Sequence, residues 1–357
     1  MKPSEISQAL TICIKAKQPA IIWGAPGIGK SDISRQVAAV LGRKHIDIRG
    51  SLLDPVDLRG LPRVEQNGSL WHTQWCPPIF LPGPNSGPCL ITLDEMNRAP
   101  VMVQNALLQL VLDRKLGEYE LPENCEIIAC CNREGDGGGV QKMPLALANR
   151  FTHLDLEPDV QDWCKWAVGT ANIHPMVIAH IRLRQERLFS METWIGGRPT
   201  GGDHKHTGNP CSCGADKKPA TRAFPSPRSW AFVSRLTHEN PTNGIAHALF
   251  AGAVGEPDAV EYSGTLRLYR ELPSIDAILL NPSKATVPTN PAGLYAVSSA
   301  LVRMTDVNNF GRVLTYMERV GGEYLAFYIQ LIVGAKPDVT LTPEWTKFHI
   351  AHPEVAI

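Results

Sequence analysis

The feature that most constrains this chain is a glycine-rich octapeptide near the N-terminus, Gly24-Ala25-Pro26-Gly27-Ile28-Gly29-Lys30-Ser31. It fits G-x-x-x-x-G-K-[ST] at every fixed position, and its flanks fit too. Pro19 to Trp23 reads as a short buried strand, and Ile33, Val37, Val40 and Leu41 then recur at helical spacing. Strand, glycine turn and helix start follow in the order that phosphate binding requires. The glycines let backbone N–H groups wrap phosphates with no side chain in the way, and the helix N-terminus adds a favourable dipole. Gly24, Ala25, Pro26, Gly27, Ile28, Gly29, Lys30, Ser31 and Asp32 are therefore expected to line a nucleotide phosphate site. Lys30 is expected to reach the β and γ phosphates, and the Ser31 hydroxyl to ligate Mg²⁺.

A second segment supplies the complementary chemistry. Cys89-Leu90-Ile91-Thr92-Leu93-Asp94-Glu95 is a mostly apolar strand that ends in two carboxylates. A buried strand would carry Asp94 to the sheet edge beside the loop, where it can hold Mg²⁺ directly or through water. Glu95 is then placed to polarise the water that attacks the γ-phosphate. The plainer reading, a solvated acidic strand end, is outweighed by the position, about sixty residues after the loop in an alternating fold. Glu126 to Cys131 is another apolar run, and it ends in Asn132. An amide there can orient water and sense the γ-phosphate, or it can simply form a turn.

The first 157 residues alternate between strand-like and helix-like stretches. Strands are expected at 19–23, 44–48, 88–93, 125–131 and 152–156. The first four are near-continuous apolar runs, as for strands covered on both faces. Residues 101–112 place Val103, Leu107, Leu110 and Val111 on one helical face. This pattern predicts an α/β fold, a parallel-sheet αβα P-loop NTPase domain over 1–157. Residues 51–88, rich in Pro and Gly, interrupt it and read as an inserted hairpin or short helix with loops. After Glu157-Pro158 helical periodicity takes over: Val177, Ile181 and Leu188 share one face, and Tyr324, Leu325, Tyr328, Leu331 and Ile332 another. A mostly helical second domain is expected over 158–340, with an exposed loop at 191–222. A loosely packed tail is expected over 341–357. His174, before Pro175, reads as a helix-start residue. Trp71 and Trp75 flank the insert and face either a bound substrate or the protein's own packing.

Composition excludes some classes. Lys+Arg and Asp+Glu are both 35, so the chain has no bulk electrostatic footprint for nucleic acid or an anionic membrane. No apolar run approaches the ~18 residues that span a bilayer, and the N-terminus lacks the layout of a signal peptide. The nine cysteines are an odd number, and most lie in core-like segments, which predicts reduced thiols in a cytoplasmic protein rather than a disulfide framework.

The motif set resembles that of an AAA+ ATPase, and within that superfamily it is similar to the MoxR group (AAA_5-like, of the helix-2-insert clade). The residues that carry the likeness are the loop Gly24–Ser31, Leu93-Asp94-Glu95-Met96-Asn97-Arg98-Ala99, Asn132, Ala146-Leu147-Ala148-Asn149-Arg150-Phe151 and Pro225-Ser226-Pro227-Arg228-Ser229-Trp230. They span roughly residues 5–260. The resemblance implies a helical lid for the second domain. It implies that Arg150 is an arginine finger reaching a neighbouring subunit's nucleotide, and that Arg228 is the second-sensor arginine. Each has a plainer alternative: Arg150 pairing with a carboxylate at a helix end, Arg228 capping its helix. It also implies a homo-oligomeric, usually hexameric ring, a pore-facing insert at 51–88 and a hairpin at Leu116–Pro122. ATP and Mg²⁺ would be the ligands. The output would be chaperone-like remodelling or maturation of a protein partner, often one carrying a von Willebrand factor A domain. A nucleic-acid-directed motor, such as a helicase loader or restriction-type translocase, would share the same ATP site. The neutral charge argues against it.

One segment lies outside this likeness. Between Gly202 and Gly214, His204, His206, Cys211 and Cys213 are four candidate zinc ligands within ten residues. A structural zinc could fold such a loop, but H-x-H and C-x-C are tighter than usual ligand spacing, which favours a solvated loop. Chelator-washed protein is therefore expected to hold far less than one zinc per chain in metal analysis. Stoichiometric zinc would establish the site instead.

Overall fold

The computed structural model describes residues 1–67, 69–136, 139–169, 172–195, 216–219, 222–269 and 272–353. The chain divides into two compact units, Met1–Glu157 and Pro158–Ile357.

In the first unit, helix α1 (Pro3–Lys15) precedes strand β1 (Ala20–Trp23), helix α2 (Lys30–Val40) and strand β2 (Lys44–Arg49). The interruption that follows contains both expected elements, a short helix α3 (Pro55–Arg59) and an antiparallel hairpin of β3 (Leu61–Asn67) with β4 (Leu70–Cys76). Then come β5 (Cys89–Asp94), α4 (Val101–Asp113), a small hairpin of β6 (Lys115–Leu116) with β7 (Tyr119–Glu120), β8 (Cys125–Cys131), α5 (Leu145–Ala148) and β9 (Thr152–Asp155). Five strands form one parallel sheet in the order β2-β5-β8-β1-β9. The architecture is the parallel-sheet α/β fold expected of a P-loop NTPase.

The order has a direct consequence for chemistry. In a parallel sheet all strands end on the same edge, so the turns after β1, β5 and β8 share that edge. Register fixes their alignment: Trp23 pairs with Cys131, and Asp94 with Cys130. Every residue of β8 is buried, as are all residues of β5 but Asp94. One core packs β5 and β8 against α4 through Val103, Leu107, Leu110 and Val111.

The second unit is mainly helical: α6 (Val160–Gly169), α7 (Pro175–Leu183), then α8 (Pro227–His238), α9 (Asn243–Val254), α10 (Glu256–Tyr269), α11 (Ile275–Leu280), α12 (Pro291–Met304), α13 (Phe310–Val320), α14 (Gly322–Ala335) and α15 (Pro343–Ala351). Its core holds Trp230, Phe250, Tyr262, Phe310, Tyr316 and Tyr328, each fully buried. His174 caps α7, its Nδ1 accepting from the Met176 N–H at 3.2 Å. That helix stops at Leu183, so Leu188 lies beyond it, still buried in the same core.

Three expectations need correction. Residues 191–222 are not wholly loop, because β10 (Glu192–Ile195) and β11 (Asp216–Pro219) pair antiparallel. His204, His206, Cys211 and Cys213 lie outside the described residues. The chain end is not loose through 341–353: Thr342 caps α15 and Phe348 is buried, because Pro343 at the first helical position starts a helix rather than breaking it. Finally, Cys89 and Cys125, opposite each other in the β5–β8 register, form a disulfide. Cys13, Cys76, Cys130, Cys131 and Cys164 are free.

Leu107→Ala, in the fully buried face of α4, is expected to cost the first unit about 2–5 kcal/mol in denaturant or calorimetric unfolding. A loss below about 1 kcal/mol would mean that α4 does not carry this core.

Candidate functional site

The loop between β1 and α2 turns on glycines. Gly27 has φ +82° and Gly29 φ +99°, conformations that a side chain opposes. Gly29 is the N-cap of α2, so the first N–H groups of the helix open toward the loop.

Lys30 points back into this loop. Its Nζ donates to the carbonyls of Gly24 at 2.7 Å and Ala25 at 2.9 Å, and to Asn132 Oδ1 at 2.8 Å. The residue is buried, and desolvation pushes its ammonium below the usual value, an effect that the nearby Asp94 carboxylate opposes. A buried cation with three acceptors is a strong attractor for an anion brought to the loop. Cys130 and Cys131 line the strand beside it, and burial pushes both thiols up, Cys131 to about 12, so they are neutral neighbours.

The loop and the acid strand meet directly. Ser31 Oγ donates to Asp94 Oδ2 at 2.7 Å. Residues 63 positions apart in sequence thus share one point at the sheet edge. A hydroxyl and a carboxylate side by side fit a hard divalent cation such as Mg²⁺, which takes few protein ligands and keeps water and phosphate oxygens for the rest.

Glu95 follows in a left-handed conformation, φ +50°. That turn separates its side chain from Asp94. Ser51 Oγ donates to Glu95 Oε2 at 2.6 Å, and Arg98 Nη1 donates to Oε1 at 3.2 Å. Gly50 makes the first contact feasible: a Cβ there would lie 3.2 Å from the Ala99 Cβ and 3.3 Å from the Met96 Cα, so its backbone runs hard against the turn. Asn97 reaches the backbone of Asn132. Next to Asn132, Arg133 pairs with Asp155 at 3.3 Å and Glu157 at 2.6 Å, where the chain leaves the sheet.

The structure therefore brings together Lys30, Ser31, Asp94, Glu95 and Asn132. Asp32 is elsewhere: its carboxylate faces solvent and pairs with Arg35 at 2.5 Å, so only its backbone belongs to the loop. Arg150 is exposed just after α5. Arg228 is exposed in the first turn of α8, in the second unit. It does not cap that helix. The cap is reciprocal between Ser226 and Ser229, at 2.8 and 3.2 Å. Ser51 and Arg133 carry no motif of their own. Asn97 and Arg98 sit in the quoted run, but nothing local assigns them a partner. Among the described residues no cluster of three or more His, Cys, Asp or Glu is placed to hold a metal.

Comparison with known proteins agrees with this geometry. Residues 19–151 match the family model of the AAA domain, dynein-related subfamily. The chain is 29% identical over 147 residues to midasin of Dictyostelium discoideum, a stretch that is 38% of this chain and 2% of that protein. It is 26% identical over 162 residues to midasin of Giardia intestinalis, 43% of this chain and 3% of that one. It thus spans a small fraction of the length of these relatives. A crystal structure of a candidate ATPase from Cytophaga hutchinsonii is 25% identical, with a TM-score of 0.32, over 43% of this chain and 46% of that chain. Residues 19–151 are thus similar to an AAA domain, and that match supports an ATP-hydrolysing enzyme.

Gly29→Ala would force a side chain into φ +99°, a strain of about 1–3 kcal/mol borne by the loop conformation. Nucleotide affinity is expected to fall about tenfold in a titration with labelled nucleotide, with the unfolding midpoint lowered by about 2–4 °C for each kcal/mol of that strain. Undiminished affinity would show that this backbone shape is not needed for binding.

Proposed function

We propose that this chain is a MoxR-like AAA+ ATPase, a ring-forming motor that couples ATP hydrolysis to chaperone-like remodelling or maturation of a protein partner. The observation that carries the ATPase reading is the Ser31–Asp94 contact at 2.7 Å beside the Lys30–Asn132 contact at 2.8 Å. Two remote segments converge there on the functional groups that a metal–triphosphate requires.

In this reading the loop N–H groups and Lys30 bind the phosphates, and Ser31 and Asp94 hold Mg²⁺. The cation, when bound, supplies charge neutralisation to the phosphate oxygens. Glu95 accepts a proton from the attacking water as the new O–P bond forms and the bond to the ADP oxygen breaks. Asn132 aligns that water and responds to the γ-phosphate. Arg150 and Arg228 supply positive charge to the transition state, Arg150 from a neighbouring copy in the ring. An arginine in the first turn of a helix stands at the unfavourable end of the dipole, a placement that an anionic ligand would reward. No helix among the described residues is long and apolar enough to cross a membrane.

Phosphate release from Mg²⁺-ATP tests the enzyme, and Arg150→Ala tests the ring. This variant is expected to bind nucleotide yet lose ~10³-fold or more in turnover. Wild-type turnover would reject the finger. Glu95→Gln used as bait is expected to retain a protein partner in the presence of ATP; retention of nucleic acid alone would reject the remodelling role.

A further inference from the structure

Asn97 has no role in the steps above, yet it is among the most firmly tied residues of the site. It is 2% exposed, three positions beyond Asp94. Its carboxamide engages Asn132 twice: Nδ2 donates to the Asn132 carbonyl at 2.7 Å, and Oδ1 accepts from the Asn132 N–H at 3.4 Å. Its own carbonyl accepts from the Gln141 N–H at 2.8 Å.

The position of this clamp matters. The β5–β8 register ends at Asp94 and Cys130, and the β1–β8 register at Trp23 and Cys131. Asn132 therefore lies just past the last residue that the sheet holds. Beyond that point a strand end is free to splay unless something else pairs its N–H and C=O. Asn97 pairs both. The Asn132 side chain, whose direction follows from that backbone, is then free to accept from Lys30. Two residues before Asn97, the same turn carries Glu95. One buried amide thus links the hydrolytic acid's turn to the sensor's strand end.

We propose that Asn97 is a positioning residue: it holds the Asn132 backbone so that the Asn132 carboxamide and the Glu95 carboxylate keep a fixed relation across the reacting phosphate. It acts through Asn132, and the proposal rests on the ATPase reading given above. A small misplacement of such a group costs rate far more than affinity, because the geometry matters most in the transition state.

The test is a double-mutant cycle in the full chain, with Asn97→Ala, Asn132→Ala and the pair, reading kcat and KM for ATP and affinity for labelled nucleotide. Asn97→Ala is expected to keep nucleotide affinity within about threefold and to lower kcat by about 10–100-fold. In the Asn132→Ala background the same change is expected to cost less than about twofold, since the group it positions is gone. Equal losses of kcat in both backgrounds, or a loss confined to affinity, would reject the clamp while leaving the ATPase reading intact. Wild-type turnover in Asn132→Ala would reject the sensor reading and the clamp with it. Should Asn97→Ala fail to bind nucleotide, Asn97→Ser is carried through the same cycle with the same criteria.

Discussion

The hydrogen bond between Ser31 and Asp94 is where the sheet's topology becomes chemistry. It exists because β1 and β5 are parallel and separated only by β8, so the turns that leave them open on one edge. An antiparallel arrangement of the same strands would put the loop and the acid at opposite ends. The apolar core beneath the sheet is therefore not a neutral support. Its buried strands β5 and β8 set where Asp94, the last paired residue of β5, and Asn132, one position past Cys131, stand on that edge.

Around that contact the polar groups form one connected set. Lys30 joins the loop carbonyls to Asn132, Asn132 is held by Asn97, and Glu95 is held by Ser51 and Arg98. Such sets rigidify a site when every member is satisfied. The arrangement also separates the two acids. Asp94 faces the Ser31 hydroxyl, while the left-handed turn at Glu95 directs the second carboxylate toward Ser51. One strand end thus turns its two carboxylates to different partners, Ser31 and Ser51.

Much of this was legible in the sequence, for physical reasons. Strands buried on both faces must be apolar throughout, so 20–23, 89–94 and 125–131 stand out as runs, and a glycine-lysine-serine turn has few other uses. What the sequence hid depends on partners distant along the chain. Ser51 is an ordinary residue until Gly50 lets the backbone approach the Glu95 turn. Asn97 is a polar residue in a turn until β8 ends beside it. The Cys89–Cys125 pair follows from register, which composition does not contain. The terminal helix was obscured because Thr342 and Pro343, residue types common in irregular chain, are here its cap and its first residue.

The central claim is that two segments far apart in sequence grip one metal–triphosphate. The most direct measurement is the Mg²⁺ dependence of nucleotide affinity in wild-type protein and in a Ser31→Ala, Asp94→Asn double variant. The account predicts that Mg²⁺ tightens nucleotide binding in the wild type and that this gain disappears in the variant, while Mg²⁺-free binding through the loop persists. An unchanged Mg²⁺ response in the variant would contradict it.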